Sequence, residues 1–150
     1  MVNNNSRIVM KLFALLYLLS LLFITFMLPD RFTGMYNSDN INWQPFLYKW
    51  PDISNFSSLQ DNQKLFYIKE ILGNFLLLMP LGWSVIVLYG AKINKVLLYI
   101  IVFLVSLSIE SLQYWFHIGT FDIDDLILNT CGGFIGIFLL DILHKRKQYK

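Results

Sequence analysis

The sequence predicts an all-α integral membrane protein, a single domain over residues 1–150 built as a bundle of four transmembrane helices. Three observations carry this. Of 150 residues, 56% are hydrophobic and 15% charged, against about 25% charged in a typical soluble domain. The apolar residues fall into four runs, at about residues 8–28, 71–89, 96–116 and 126–143. Each is close to the roughly 20 residues a helix needs to cross the hydrocarbon core. The basic residues collect at the ends of these runs rather than in one patch.

The first run is apolar apart from Lys11, Ser20 and Thr25 and is closed by Leu28, Pro29 and Asp30. A cleaved signal peptide competes with a retained helix here. The run is long for a signal sequence and no small-x-small cleavage site follows, which favours the retained helix. Residues 31–70 form a long polar and aromatic connection. Trp43, Pro45, Phe46, Trp50 and Pro51 suit neither a helix nor a strand interior, and their aromatic density fits a loop lying against lipid headgroups. Ser58-Leu-Gln-Asp61 has the form of a helix cap, so an interfacial helix is expected to start there and lead into the second run. That run contains Gly73, Asn74, Pro80 and Gly82, and Pro80 should kink it by removing a backbone donor. A short basic turn with Lys92 and Lys95 precedes the third run, and a basic tail follows the fourth.

Charge sets the expected orientation. With the amino terminus inside, Arg7, Lys11, Lys92, Lys95, Lys145, Arg146, Lys147 and Lys150 are all cytoplasmic. Arg31, Lys49, Lys64 and Lys69 then lie in the long outer loop, where bias counts less per residue. The link between runs three and four has three aspartates and no lysine or arginine. Both termini are therefore expected in the cytoplasm, in a multi-pass protein of the plasma membrane. The net charge of +2 and its dispersal exclude a nucleic-acid binder. Cys131 is the only cysteine, which excludes an intrachain disulfide and a cysteine metal cluster; it reads as a small buried residue.

Polar residues inside the apolar runs are the functional signal. In the expected orientation Asn74, Glu110, Gln113 and Asn129 reach one depth, in the outer third of the bilayer. Ser106, Glu110, Gln113 and His117 are spaced i, i+4, i+7 and i+11, one stripe of a helix. Asp122, Asp125, Asn129, Gly132 and Gly136 make a matching stripe on a fourth helix beginning near Asp122. Asp124 falls off that stripe and reads as a solvated loop charge or helix-start residue. Gly132 and Gly136 would let a neighbouring backbone approach closely. A carboxylate within hydrocarbon costs on the order of 3 kcal/mol. A polar bond between membrane helices contributes only about 0.6 kcal/mol on average. Packing alone is thus a weak reason for Glu110, and it is expected to line a pocket with Gln113, Asp122, Asp125, Asn129 and Asn74, supported by Ser106, His117 and Asn42.

The order Glu110-x-x-Gln113, then Phe121-Asp122-x-x-Asp125-x-x-x-Asn129-x-x-Gly132, resembles the VanZ-like family of bacterial membrane proteins. Asn74-Phe-Leu-Leu-Leu-Met-Pro80-Leu-Gly82 and Asn42-Trp-Gln-Pro45-Phe46 agree with it, so the resemblance runs over roughly the whole chain. It implies a protein of the cell envelope and a link to resistance against the glycopeptide teicoplanin. Many members of the family carry an arginine just before the Phe-Asp pair, where this chain has Thr120. If that arginine holds a phosphate, Arg31, Lys64 or Lys69 must replace it here.

Two functions fit these residues. One is a non-enzymatic protein that binds an outer-leaflet component such as a lipid-linked wall precursor, or a glycopeptide, with Trp43, Trp50 and Trp115 stacking on it. The other is a membrane-embedded enzyme acting on a lipid-linked headgroup, with carboxylates and amides holding a divalent cation through oxygen ligands or dividing into acid and base. No nucleophile–histidine pair, phosphate loop or paired-histidine motif supports catalysis. Ion or proton movement is least favoured, because the inner halves of the runs are apolar.

Overall fold

The computed structural model describes residues 3–27, 41–46, 54–90 and 93–148, with side chains from 144 onward left aside. Helix α1 spans Asn4–Met27, α2 Asp61–Leu77, α3 Leu81–Tyr89, α4 Lys95–Trp115 and α5 Ile123–Gln148. Two-residue strands β1 (Ile41–Asn42) and β2 (Phe121–Asp122) pair in parallel, Ile41 with Phe121 and Asn42 with Asp122. Together α2 and α3 make one path, so four helical segments are long and apolar enough to cross a membrane.

The second segment starts where the cap signal is expected. One uninterrupted helix, α2, runs from Asp61 into the span, and the differences lie in its cap and its break. Nothing between Asp61 and Leu77 breaks it, since a lone glycine at 73 weakens a helix without ending it. Its cap is Gln60, which exchanges side-chain and backbone bonds with Gln63; the Ser58 hydroxyl bonds Asn55 instead. The interruption comes at Pro80, as its missing N–H requires. In a continuous helix the Leu76 carbonyl would accept from residue 80. It accepts from Met79 at 3.3 Å, while Leu81 N–H turns to Leu78 O at 3.0 Å. That leaves the Leu77 carbonyl without its helical donor, and the Tyr17 hydroxyl of α1 supplies one at 2.8 Å.

Helix α5 lies against α2 and α4, and α1 against α3. Close approach of α5 to the α2–α3 path depends on glycine. A Cβ on Gly132 would overlap the Phe75 carbonyl, and one on Gly136 the Met79 carbonyl. The two glycines sit one turn apart, so the seam follows the helix axis along the face identified from sequence. Around it Leu21, Leu78, Leu81, Val85, Leu98, Val102, Ile109 and Ile137 form the apolar core. Helix α1 buries Ala14, Leu21 and Thr25 on one face and exposes Leu12, Leu16, Leu19 and Phe23 on the others. This is the surface of a helix whose solvent is lipid. Cys131 also lies on an exposed face, contrary to the buried position expected for it. It follows the buried Asn129 by two residues, about 200° around the helix.

Helix α4 stops sooner than its polar stripe suggests. Ile118 N–H bonds Gln113 O at 3.0 Å and His117 N–H bonds Tyr114 O at 3.1 Å. With His117 at φ 57°, this is a Schellman ending with histidine in the left-handed position. His117 is therefore turned off the Ser106–Glu110–Gln113 face and is exposed; it takes no part in the cluster.

Candidate functional site

The polar residues meet where the carboxyl ends of α1 and α4 approach the amino end of α5 and the second half of α2. Glu110 is 2% exposed. Its Oε2 accepts the Asp122 backbone N–H at 3.3 Å, and its Oε1 accepts from Asn129 Nδ2 at 3.4 Å. Both bonds are long, and both come from the start of α5. The backbone donor exists because Asp122 immediately precedes α5, where N–H groups lack helical partners. Asn129 is 1% exposed, and its Oδ1 has no hydrogen-bond partner among the described residues.

Two further bonds hold the walls. Ser106 Oγ donates to Leu126 O at 3.1 Å, tying α4 to α5. Gln113 Nε2 donates to Thr25 O at 3.2 Å. That carbonyl belongs to the last turn of α1, where acceptors have no donor within the helix. Gln113 thus brings the end of α1 into the site, and Thr25 is buried there.

The 41–46 segment docks on the Phe121–Asp124 turn rather than lying wholly against headgroups. Asn42 Nδ2 donates to Asp122 Oδ1 at 3.0 Å, and Asn42 Oδ1 accepts Gln44 N–H at 3.2 Å. Phe46 N–H donates to Asp124 Oδ1 at 2.8 Å, while Asp124 N–H donates to Asp122 Oδ1 at 2.8 Å. The Trp43 ring lies 5.0 Å from that of Phe121. Asp124 is consequently 3% exposed; it is the helix-start residue of the two alternatives read from sequence, in the first turn of α5, and not the solvated loop charge. Its side chain leaves the α5 stripe because the helix begins at Ile123, so the preceding turn directs it to the docked segment.

The sequence-predicted residues thus divide. Glu110, Asn129, Asp122 and Asn42 are joined by hydrogen bonds, while Gln113 and Ser106 bond the Thr25 and Leu126 carbonyls instead. Asp125 is half-buried one turn before Asn129, and Asn74 is buried on the face of α2. His117 is excluded, and Trp115 is exposed. Trp50, Arg31 and Lys49 lie outside the described residues, as do Lys92 and the Asn37–Asn40 turn cluster. The reading from sequence missed Glu70. One carboxylate oxygen each from Glu70, Asp122 and Asp125 lie within 4.8 Å of one another. Glu70 precedes Asn74 by four residues, and that spacing was its signal.

A bundle of apolar spanning helices with a buried glutamate and amide junction at one end defines a polytopic membrane protein with a buried polar cluster. The VanZ/LLP1 family model matches residues 13–144, and the chain belongs to that family. It is a multi-pass protein of the bacterial membrane. A curated relative, Protein VanZ of Enterococcus faecium, is 33% identical over 82 residues, covering 55% of this chain and 50% of the relative. The chain therefore spans about half the length of the curated relative it matches. No solved structure matches the chain.

Proposed function

We propose that this end of the bundle faces outward and binds the polar headgroup or sugar of a lipid-linked or glycan component of the envelope. The orientation rests on the basic residues, which gather at the opposite helix ends. The observation that carries the reading is the burial of Glu110 against amide and backbone donors, with the Asn129 carbonyl beside it left unsatisfied. A polar ligand with hydroxyl or amide donors would bond such acceptors, and burial would strengthen those bonds. The distant likeness to Protein VanZ supports an effect on susceptibility to teicoplanin-type glycopeptides. No catalytic step is required.

The test is capture of a purified lipid-linked wall precursor by the protein in lipid nanodiscs. Glu110→Gln and Asp125→Asn should weaken capture at unchanged expression and helix content. Unchanged capture in both variants overturns the reading. A second reading, an enzyme acting on the same headgroup with help from a metal, is favoured only by the Glu70–Asp122–Asp125 group. Turnover of the precursor after metal addition would select it over plain binding.

A further inference from the structure

Three carboxylates converge at the mouth of this pocket from two helices distant in sequence. Glu70 comes from α2, Asp122 from the turn before α5 and Asp125 from its first turn. All three are half-buried. Like charges this close repel one another, and more strongly where water is excluded. Glu70, Asp122 and Asp125 each have at least one further polar or charged contact in the chain, as does Glu110.

An independent observation points to a ligand at the same place. Asn129 is 1% exposed and lies four residues after Asp125 on the face that carries the acidic group. Its Nδ2 is held by Glu110, whose other carboxylate oxygen is bonded to the Asp122 backbone. The amide is therefore oriented, and its carbonyl oxygen has no donor among the described residues. A buried carbonyl without a partner costs about 1–3 kcal/mol. Such an oxygen suits a cation as well as it suits a hydrogen-bond donor.

The donor set is all oxygen, with neither histidine nor thiolate, as hard cations prefer. Three carboxylates and an amide oxygen, all from the protein, suit calcium, which takes many protein oxygens in flexible geometry, whereas magnesium keeps several waters and takes one or two carboxylates. We propose that Glu70, Asp122 and Asp125, backed by the amide oxygen of Asn129, bind a divalent cation of the calcium class. The ion exchanges for part of the existing polar contacts of these carboxylates. Through Asp122 it also engages the Asn42 side chain, so binding tightens the docked 41–46 segment. This inference takes its location from the pocket reading but is independent of what headgroup that pocket accepts.

The test uses the full chain in nanodiscs, stripped with chelator and titrated with calcium or magnesium by calorimetry. One saturable calcium site per chain is expected, tighter than for magnesium. Glu70→Gln and Asp125→Asn should each weaken it by at least about tenfold, the lower end of what even outer-shell partners of a metal cost. Asp61→Asn, at the exposed start of α2 beside Lys64, should leave it unchanged. Thermal melts without metal show whether each variant is folded. Absence of a saturable site in the wild type overturns the proposal, as does equal binding by both folded site variants. Precursor capture that persists in chelator while no calcium binds would remove the cation alone; calcium binding without capture would remove the headgroup reading alone.

Discussion

Two neighbouring stretches of α5 solve opposite problems. From Gly132 to Gly136 the helix meets the α2–α3 path backbone to backbone, with no polar side chain between them. One turn earlier, from Asp122 to Asn129, it meets α4 and the 41–46 segment through carboxylates and amides. The glycine seam needs nothing else to be complete. The polar end contains buried atoms without partners among the described residues, including Asn129 Oδ1 and Asp124 Oδ2. Close packing is what holds membrane helices together, since lipid offers no hydrophobic drive. The seam therefore carries the fold, and the polar end is the part with bonding capacity left over.

The largest effects should come from breaking the seam. Gly132→Val or Gly136→Val would force a side chain into a backbone carbonyl. Neither carbonyl can rotate away as a flexible side chain would. Destabilisation beyond about 3 kcal/mol, the top of the usual overpacking range, is expected. Loss of monodisperse protein in detergent and collapse of the thermal transition would register it. If these variants fold normally, the division between seam and site is wrong.

Glu110→Gln attacks the polar end with its shape preserved. The amide can still accept from Asn129 or from the Asp122 backbone, while the acidic group is gone. The melting temperature should hold or rise, because a carboxylate within hydrocarbon costs on the order of 3 kcal/mol. Precursor capture should fall at the same time. A variant with lower stability and intact capture would instead assign Glu110 to packing.

What the residues disclosed in advance follows the same division. Helical periodicity placed Ser106, Glu110 and Gln113 on one face, and Asp125, Asn129, Gly132 and Gly136 on another, because no breaker interrupts either run; Asp122, counted with the second face, lies in β2 just before α5. Long-range contacts were not legible in that way. Asp124 was open between a solvated loop charge and a helix-start residue; it is the latter, and its burial was not legible because the 41–46 segment reaches it from 78 residues away. Glu70 was set aside as a loop residue because the second run was counted from Ile71, although α2 carries it continuously to Asn74. His117 kept the helical spacing but lay beyond the helix end. Pro80 announced the break, yet nothing local named Tyr17 as the donor that satisfies it.

That donor sets a smaller effect, placed between the two regions. Tyr17→Phe keeps the ring and removes the hydroxyl bond to Leu77 O. A loss of about 0.6 kcal/mol is expected, the average for a polar bond between membrane helices, read as a small drop in melting temperature with capture unaltered. A much larger loss would show that the interrupted path between α2 and α3 depends on α1 as well as on the glycine seam.

Cys131 should give the smallest response of all. It lies between the two regions in sequence yet on the exposed side of α5, touching neither the seam nor the acidic residues. Cys131→Ala should change stability by no more than about 0.5 kcal/mol, as for surface positions away from special features, and should leave capture intact. In lipid, neither a membrane-permeant nor a charged maleimide should label the native thiol, because addition needs a thiolate that does not form in hydrocarbon, whereas both should label it once the protein is unfolded in detergent. Equal labelling by both reagents in lipid would place this face in water rather than in hydrocarbon, and would shift the whole bundle relative to the bilayer.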